Sequence, residues 1–198
     1  MSKHLLFSAR TALAVLVALT TCLAARAAQA EWNLPTLMQQ LAQHPSGRAK
    51  FTETRTLAVL TEPVVSTGEL VFSPPDRLEK HTLKPASESL VVSGNDLVVT
   101  QGGKQRALRL PQYPQVLAFV EALRGTLVGN QALLQAHYAL ALSGTESAWQ
   151  LVLTPLDDQL RRQVSQITVH GARNQVLRVQ TLQADGDKSL ITIEPAAR

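Results

Sequence analysis

Cysteine, aromatic residues and charge of a single sign are all scarce in this chain. Its one cysteine, Cys22, lies in an N-terminal apolar run. No disulfide framework is available, so the fold must be held by its core alone. Aromatic residues make up only 4% of the composition, which leaves Leu, Val and Ala to build any apolar interior. Acidic and basic residues are mixed along the chain, with no basic run and no interleaving of aromatic and basic side chains. Nucleic acid, which requires a concentrated positive footprint, is not a partner such a surface supports.

Motifs that carry chemistry are missing as well. His44, His81, His137 and His170 stand far apart, and none has a second ligand at metal-binding spacing. No serine sits in a G-x-S-x-G elbow, and no glycine-rich phosphate loop precedes a helical pattern. Asp185-Gly186-Asp187 lacks the further acidic ligands a hard cation needs and reads as a hairpin turn. Asp157-Asp158 follows Pro155 and reads as a solvated loop. A Ser-His-Asp set leaves no local signature when assembled across a fold, and nothing here favours one. The expectation is a non-enzymatic protein with no catalytic residue, metal or cofactor.

What is present begins with an export signal. Lys3 and Arg10 precede an apolar run from Thr11 to Ala24, and Ala28-Gln29-Ala30 fits a small-x-small cleavage site. The run is shorter than the ~20 residues that span a bilayer. Thr21 before Cys22 is a poor match to a lipidation site, so Cys22 is expected to leave with the signal. Cleavage near Ala30 removes Lys3, Arg10 and Arg26 but no acid, taking the net charge from +4 to +1. Residues 31–198 then suit one domain in an exported compartment.

The first element expected is a helix over 33–43. Asn33 can cap it, Pro35 suits its first turn, and Leu34, Leu37, Met38 and Leu41 share a face. From Lys50 the period becomes two. Strands are expected at Phe51–Leu57, Thr67–Ser73, Arg77–Leu83, Glu88–Val92, Asp96–Thr100 and Gln105–Leu110. In the stretch GELVFSPPDRLEK, Pro74-Pro75 marks where ladder pairing stops and a corner begins. Residues 111–134 interrupt the sheet with a mostly apolar segment, read as a helix from about Pro114 to Arg124 and a second around Asn130 to Leu134. Strands resume at Ala136–Leu142, Trp149–Thr154, Gln163–His170, Gln175–Leu182 and Lys188–Glu194. From pattern alone, the apolar segment either covers a hollow for a small molecule or fills an ordinary core.

Several of these stretches carry a family resemblance. Phe51-Thr52-Glu53 resembles the opening strand of the LolA-type carriers of outer-membrane lipoproteins. Gly68-Glu69-Leu70-Val71-Phe72 with Pro75 is similar to their G-x-L strand, which ends in a basic-proline corner. Leu90 to Leu97 resembles their hairpin around Ser-x-Gly, and Val152-Leu153-Thr154-Pro155 resembles a later strand. In order and spacing the likeness covers nearly all of residues 33–194.

The resemblance implies a mainly β, α+β fold: an unclosed antiparallel half-barrel of about eleven strands, with about three helices as a lid over an apolar cavity. It implies a monomeric periplasmic carrier for an acyl lipid or lipoprotein, loaded from an inner-membrane export complex and unloaded to an outer-membrane acceptor. The residues expected to line the cavity are Phe51, Leu70, Phe72, Leu78, Leu90 and Leu97 from the sheet, and Leu117, Val120 and Leu123 from the lid. On that reading Val120→Asp abolishes lipid uptake and leaves the fold intact. The chain departs from the family pattern at Pro74, where the carriers place an arginine associated with holding the lid closed. Arg77 is the candidate lid contact in its stead. Val98-Val99 stands where the family has an aromatic, which points toward the LolA-related branch that accompanies other lipid exporters. Two alternatives remain open at this point: a sensor of the RseB type, and an interaction module with a filled core.

Overall fold

Alternation of apolar and polar residues, punctuated by Gly, Pro, Asn and Asp, produces one large sheet. The computed structural model describes residues 31–43 and 46–195. The expected signal segment with Cys22, and also His44, lie outside the described residues. In chain order the elements are α1 (Leu34–Ala42), β1 (Gly47–Thr56), β2 (Val64–Ser73), β3 (Arg77–Lys84), β4 (Glu88–Ser93), β5 (Asp96–Gln101) and β6 (Lys104–Arg109). A 3-10 turn at Leu110–Gln112 leads into α2 (Pro114–Leu127) and α3 (Gln131–Gln135). Then come β7 (Tyr138–Thr145), β8 (Ala148–Pro155), α4 (Asp158–Arg161), β9 (Val164–Ala172), β10 (Gln175–Gln183) and β11 (Lys188–Pro195).

All eleven strands form one sheet in the order β6-β5-β4-β3-β2-β1-β11-β10-β9-β8-β7. Every neighbouring pair is antiparallel. Two meanders are therefore joined edge to edge where β1 pairs with β11, with Phe51 opposite Ile193. Strands β6 and β7 remain as free edges, so the half-barrel is unclosed.

The capping expected for α1 is present: Asn33 Oδ1 accepts from the Thr36 N–H at 3.0 Å, and Leu37, Met38 and Leu41 are buried. Helix α2 runs past Arg124 to Leu127, beyond the end expected at the glycine. Gly125 does not break the helix, because its bare Cα is what lets α3 approach. A Cβ there would meet Leu134 Cδ2 at 2.7 Å. A fourth helix, α4, stands where a solvated loop was expected. Asp157 caps it, its Oδ1 accepting from the N–H groups of Gln159 and Leu160 at 2.8 and 3.0 Å, and so turns Leu160 into the core. A single turn has no periodicity to reveal it in sequence.

The interior is divided unequally. The larger cluster joins α1 (Leu37, Met38, Leu41), the Ala118–Ala122 face of α2, Leu134 of α3 and the inner face of β7–β10, where Leu151, Leu153 and Ile167 are 0% exposed. A smaller cluster consists of Val92, Leu110 and Val120, with Leu78, Leu97, Val116 and Leu117 packed against it.

Candidate functional site

Register decides which residues share the inner face. Phe51 on β1 stands opposite Gly68 on β2. Phe72 faces Leu78, Leu78 faces Val92, and Val92 faces Leu97 across successive strands. Leu70 faces Lys80, which in turn faces Leu90. All six sheet residues expected to line a cavity thus lie on one face. Phe51 and Phe72 are buried, whereas Leu70 and Leu90 are half-buried and belong to neither apolar cluster. From α2, Leu117 and Val120 meet Leu78 and Leu97 in the smaller cluster. Leu123 does not join them and packs instead against the larger cluster.

Val120 is 6% exposed in the tight group with Val92 and Leu110. An aspartate there would bury a carboxylate beside apolar neighbours. The expectation that Val120→Asp spares the fold is therefore replaced by one in which it displaces α2.

The same face carries a polar group that sequence reasoning did not single out as a site. Glu53 is 6% exposed. Its Oε2 accepts from Lys80 Nζ and, at 3.4 Å, from Ser66 Oγ, while its Oε1 accepts from Ser189 Oγ at 2.7 Å. Burial pushes this carboxyl up, but the hydrogen bonds from Lys80 and Ser189, with the charges of Lys80 and Arg55, hold it below the usual carboxylate value. Gly68 makes the arrangement possible, since a Cβ on it would meet Phe51 Cε1 at 2.9 Å and the His81 carbonyl. The Phe51 ring lies over the bare glycine, and Lys80 Nζ is 5.2 Å from its centroid. The signal was present in the alternation, which puts Glu53 on the face of Phe51.

Two further features lie elsewhere. On the outer face, Ser89 Oγ is 3.1 Å from His81 Nδ1, and His81 Nε2 is 2.7 Å from Glu79. This superficially resembles a hydrolase relay. His81 and Arg77 together hold the Glu79 carboxyl below its usual value, and Ser89 lies in a strand paired on both sides, so the neighbouring N–H groups are committed to the ladder. An open hollow of about 620 Å³ is lined by Trp149, His170, Leu177, Arg178 and others, and none of the expected site residues touches it. Among the described residues no group of three His, Cys, Asp or Glu side chains could hold a metal ion.

A family model described as outer membrane lipoprotein carrier protein LolA-like matches residues 23–198. The chain belongs to this LolA-like family. Among solved structures it is similar to a LolA superfamily protein of Nitrosomonas europaea, at 11% identity over 80% of this chain and 90% of that one, with a TM-score of 0.44. It is also similar to the lipoprotein LppX of Mycobacterium tuberculosis, at 12% identity over 81% and 93% of the two chains, with a TM-score of 0.45. A third is a putative outer membrane lipoprotein-sorting protein domain of Vibrio parahaemolyticus, at 10% identity over 83% and 94%, with a TM-score of 0.41. A comparison with curated proteins gives no match.

In this LolA-like chain the arginine that meets the corner comes from the lid. Arg77 does not reach α2: it pairs with Glu79 on its own strand, and its side chain is 46% exposed. Arg124 on α2 is 8% exposed. Its guanidinium donates to the Asp76 carbonyl, from Nε at 2.9 Å and also from Nη2, and to the Gly94 carbonyl at 2.7 Å. One side chain thus holds α2 to the β2–β3 corner after Pro74-Pro75 and to the β4–β5 turn. Gly94, at φ +55°, has the left-handed backbone that this turn needs. Burial lowers the proton affinity of Arg124, while Asp76 and Glu121 offset part of that. Glu121, also on α2, lies 2.7 Å from His137 Nε2 at the start of β7.

Proposed function

We propose that this chain is an exported, non-enzymatic LolA-like carrier that binds the acyl chain of a lipid or lipoprotein on the inner face of β1–β6, beneath α2. The observation that carries this reading is the contrast between the two halves of the interior. The β7–β10 half is filled by α1, α2 and α3. The β1–β6 half leaves Leu70, Leu90 and Val99 half-buried on the covered face of the sheet and packed in neither apolar cluster. Apolar surface of this kind is worth about 0.8 kcal/mol per CH₂ to a chain that covers it.

On this reading the signal is cleaved near Ala30, and residues 31–198 act as a single domain and a monomer in the periplasm. They take cargo from an inner-membrane export complex and pass it to an outer-membrane acceptor. Phe51, Leu70, Phe72, Leu78, Leu90 and Leu97 contact the acyl chain, Leu117 and Val120 close over it, and Leu123 anchors the lid to the filled half. Among the described residues no helix is long and apolar enough to cross a membrane.

The test is native mass spectrometry of the protein purified from the exporting cell, with organic extraction of whatever co-purifies and titration with a fluorescent fatty-acid probe. A bound acyl species, or probe uptake that Leu90→Asp abolishes, supports the carrier. A clean apo mass together with no probe uptake overturns it and leaves an interaction module.

A further inference from the structure

We propose that the inner face selects an amphiphile whose headgroup is a compact oxyanion, a carboxylate or a phosphate, and that Lys80 is the group that receives it. This rests on the acyl-binding reading and adds the chemical class of the cargo.

The placement of Lys80 carries the inference. Leu70, Lys80, Leu90, Val99 and Arg106 form one row across five adjacent strands. Lys80 therefore stands in the apolar floor with a leucine on the strand at each side, and its ammonium reaches Glu53 beside the Phe51 ring. Its partner Glu53 accepts three hydrogen bonds, from Lys80 and Ser66 on one oxygen and from Ser189 on the other. Lys80 makes fewer. An ammonium has three N–H donors, and among the described residues Glu53 is its one hydrogen-bond partner. The Phe51 ring takes a second side of the charge, and the lysine side chain remains 24% exposed.

Stability does not require this arrangement. A buried ion pair is generally no more stable than apolar groups filling the same space, and a leucine at 80 would continue the row. The other charged groups that register places on this face reinforce the sign: Arg55, Lys104 and Arg106 against Glu88. An incoming oxyanion meets net positive charge, an ammonium with a free donor, and apolar surface on both sides for the chain behind it.

The experiment measures dissociation constants of the protein purified from the exporting cell for four probes. Oleate and dioleoyl phosphatidic acid carry the oxyanion; oleyl alcohol and dioleoylglycerol are their neutral counterparts. The anionic member of each pair is expected to bind at least about tenfold tighter. The double variant E53Q/K80Q, which removes both charges so that no carboxylate is left buried alone, should bind all four within about twofold of one another. K80R should retain the preference, which guards against reading a folding defect as lost selectivity.

Oleate favoured alone assigns a free carboxylate, and phosphatidic acid favoured alone assigns a phospholipid headgroup. Equal binding of anionic and neutral probes by the wild type overturns the inference and leaves the carrier reading standing. A preference that survives in E53Q/K80Q overturns the role of Lys80. Failure of all four probes to bind overturns the carrier reading and this inference together.

Discussion

Glu53 stands two residues from Phe51 on the covered face of β1, where the alternation would otherwise call for another apolar side chain. Its carboxyl is held low because Lys80 and Ser189 hydrogen-bond the ionised form strongly enough to outweigh burial. A carboxyl depressed in the folded state contributes stability above its unfolded value near ~4.3, and that contribution is lost as pH falls through the lower folded value. Glu53→Gln should therefore cost about 2 kcal/mol at neutral pH, less than the ~3–5 kcal/mol of a fully enclosed pair because Lys80 keeps some contact with water. Urea denaturation at a series of pH values should show the gap between variant and wild type narrowing below pH ~4. A gap that stays constant with pH would mean that the ionised form is not what is stabilised. Glu53's orientation was legible in the two-residue period, but its partner was not. Lys80 lies on the next strand but one, and only the register of β2 against both neighbours brings the two together.

At the level of elements, α2 is held by the Arg124 bonds to the two turns, by the Glu121–His137 contact and by apolar packing on both clusters, and the carrier reading requires it to move. Arg124→Gln removes charge-assisted bonds to the carbonyls of Asp76 and Gly94, each worth roughly 1.5–3 kcal/mol, and part of that returns as water solvates the freed groups. The lid should loosen by about 2 kcal/mol. Amide hydrogen exchange across 114–127 should then quicken by about thirtyfold, with exchange in β8 and β9 unchanged. Uniform acceleration would place Arg124 in the global core instead. All eleven strands were visible as alternating segments between turn residues, within a few residues of their ends. Three of the four helices among the described residues were visible as well. Pairing of β1 with β11 was not, because it joins residues some 140 positions apart and no local pattern encodes it. The Arg124 latch is hidden from the sequence for a similar reason: it reads there as one arginine in an apolar helix, and only the fold brings two turn carbonyls to it.

Across the whole molecule, the carrier reading gives the two halves of the sheet different tasks, and their response to truncation should separate them. The β7–β10 half is a closed core. Leu151 is 0% exposed among Trp149, Ile167 and the α1 leucines, so Leu151→Ala removes both transfer energy and packing and should cost about 3–4 kcal/mol. Leu90, on the β1–β6 half, is half-buried and outside both clusters, so Leu90→Ala leaves little cavity and should cost less than about 1 kcal/mol. For ligand binding the order reverses. Leu90→Ala takes away surface that an acyl chain would cover and should weaken fatty-acid binding several-fold, while Leu151→Ala should leave affinity unchanged at temperatures where the variant stays folded. Paired thermal melts and probe titrations check both at once. If both variants lose stability alike and neither loses affinity, the β1–β6 half is ordinary core. If stability and affinity separate as expected, one sheet supplies a rigid anchor on one side of β11 and a ligand surface on the other, with α2 spanning the two.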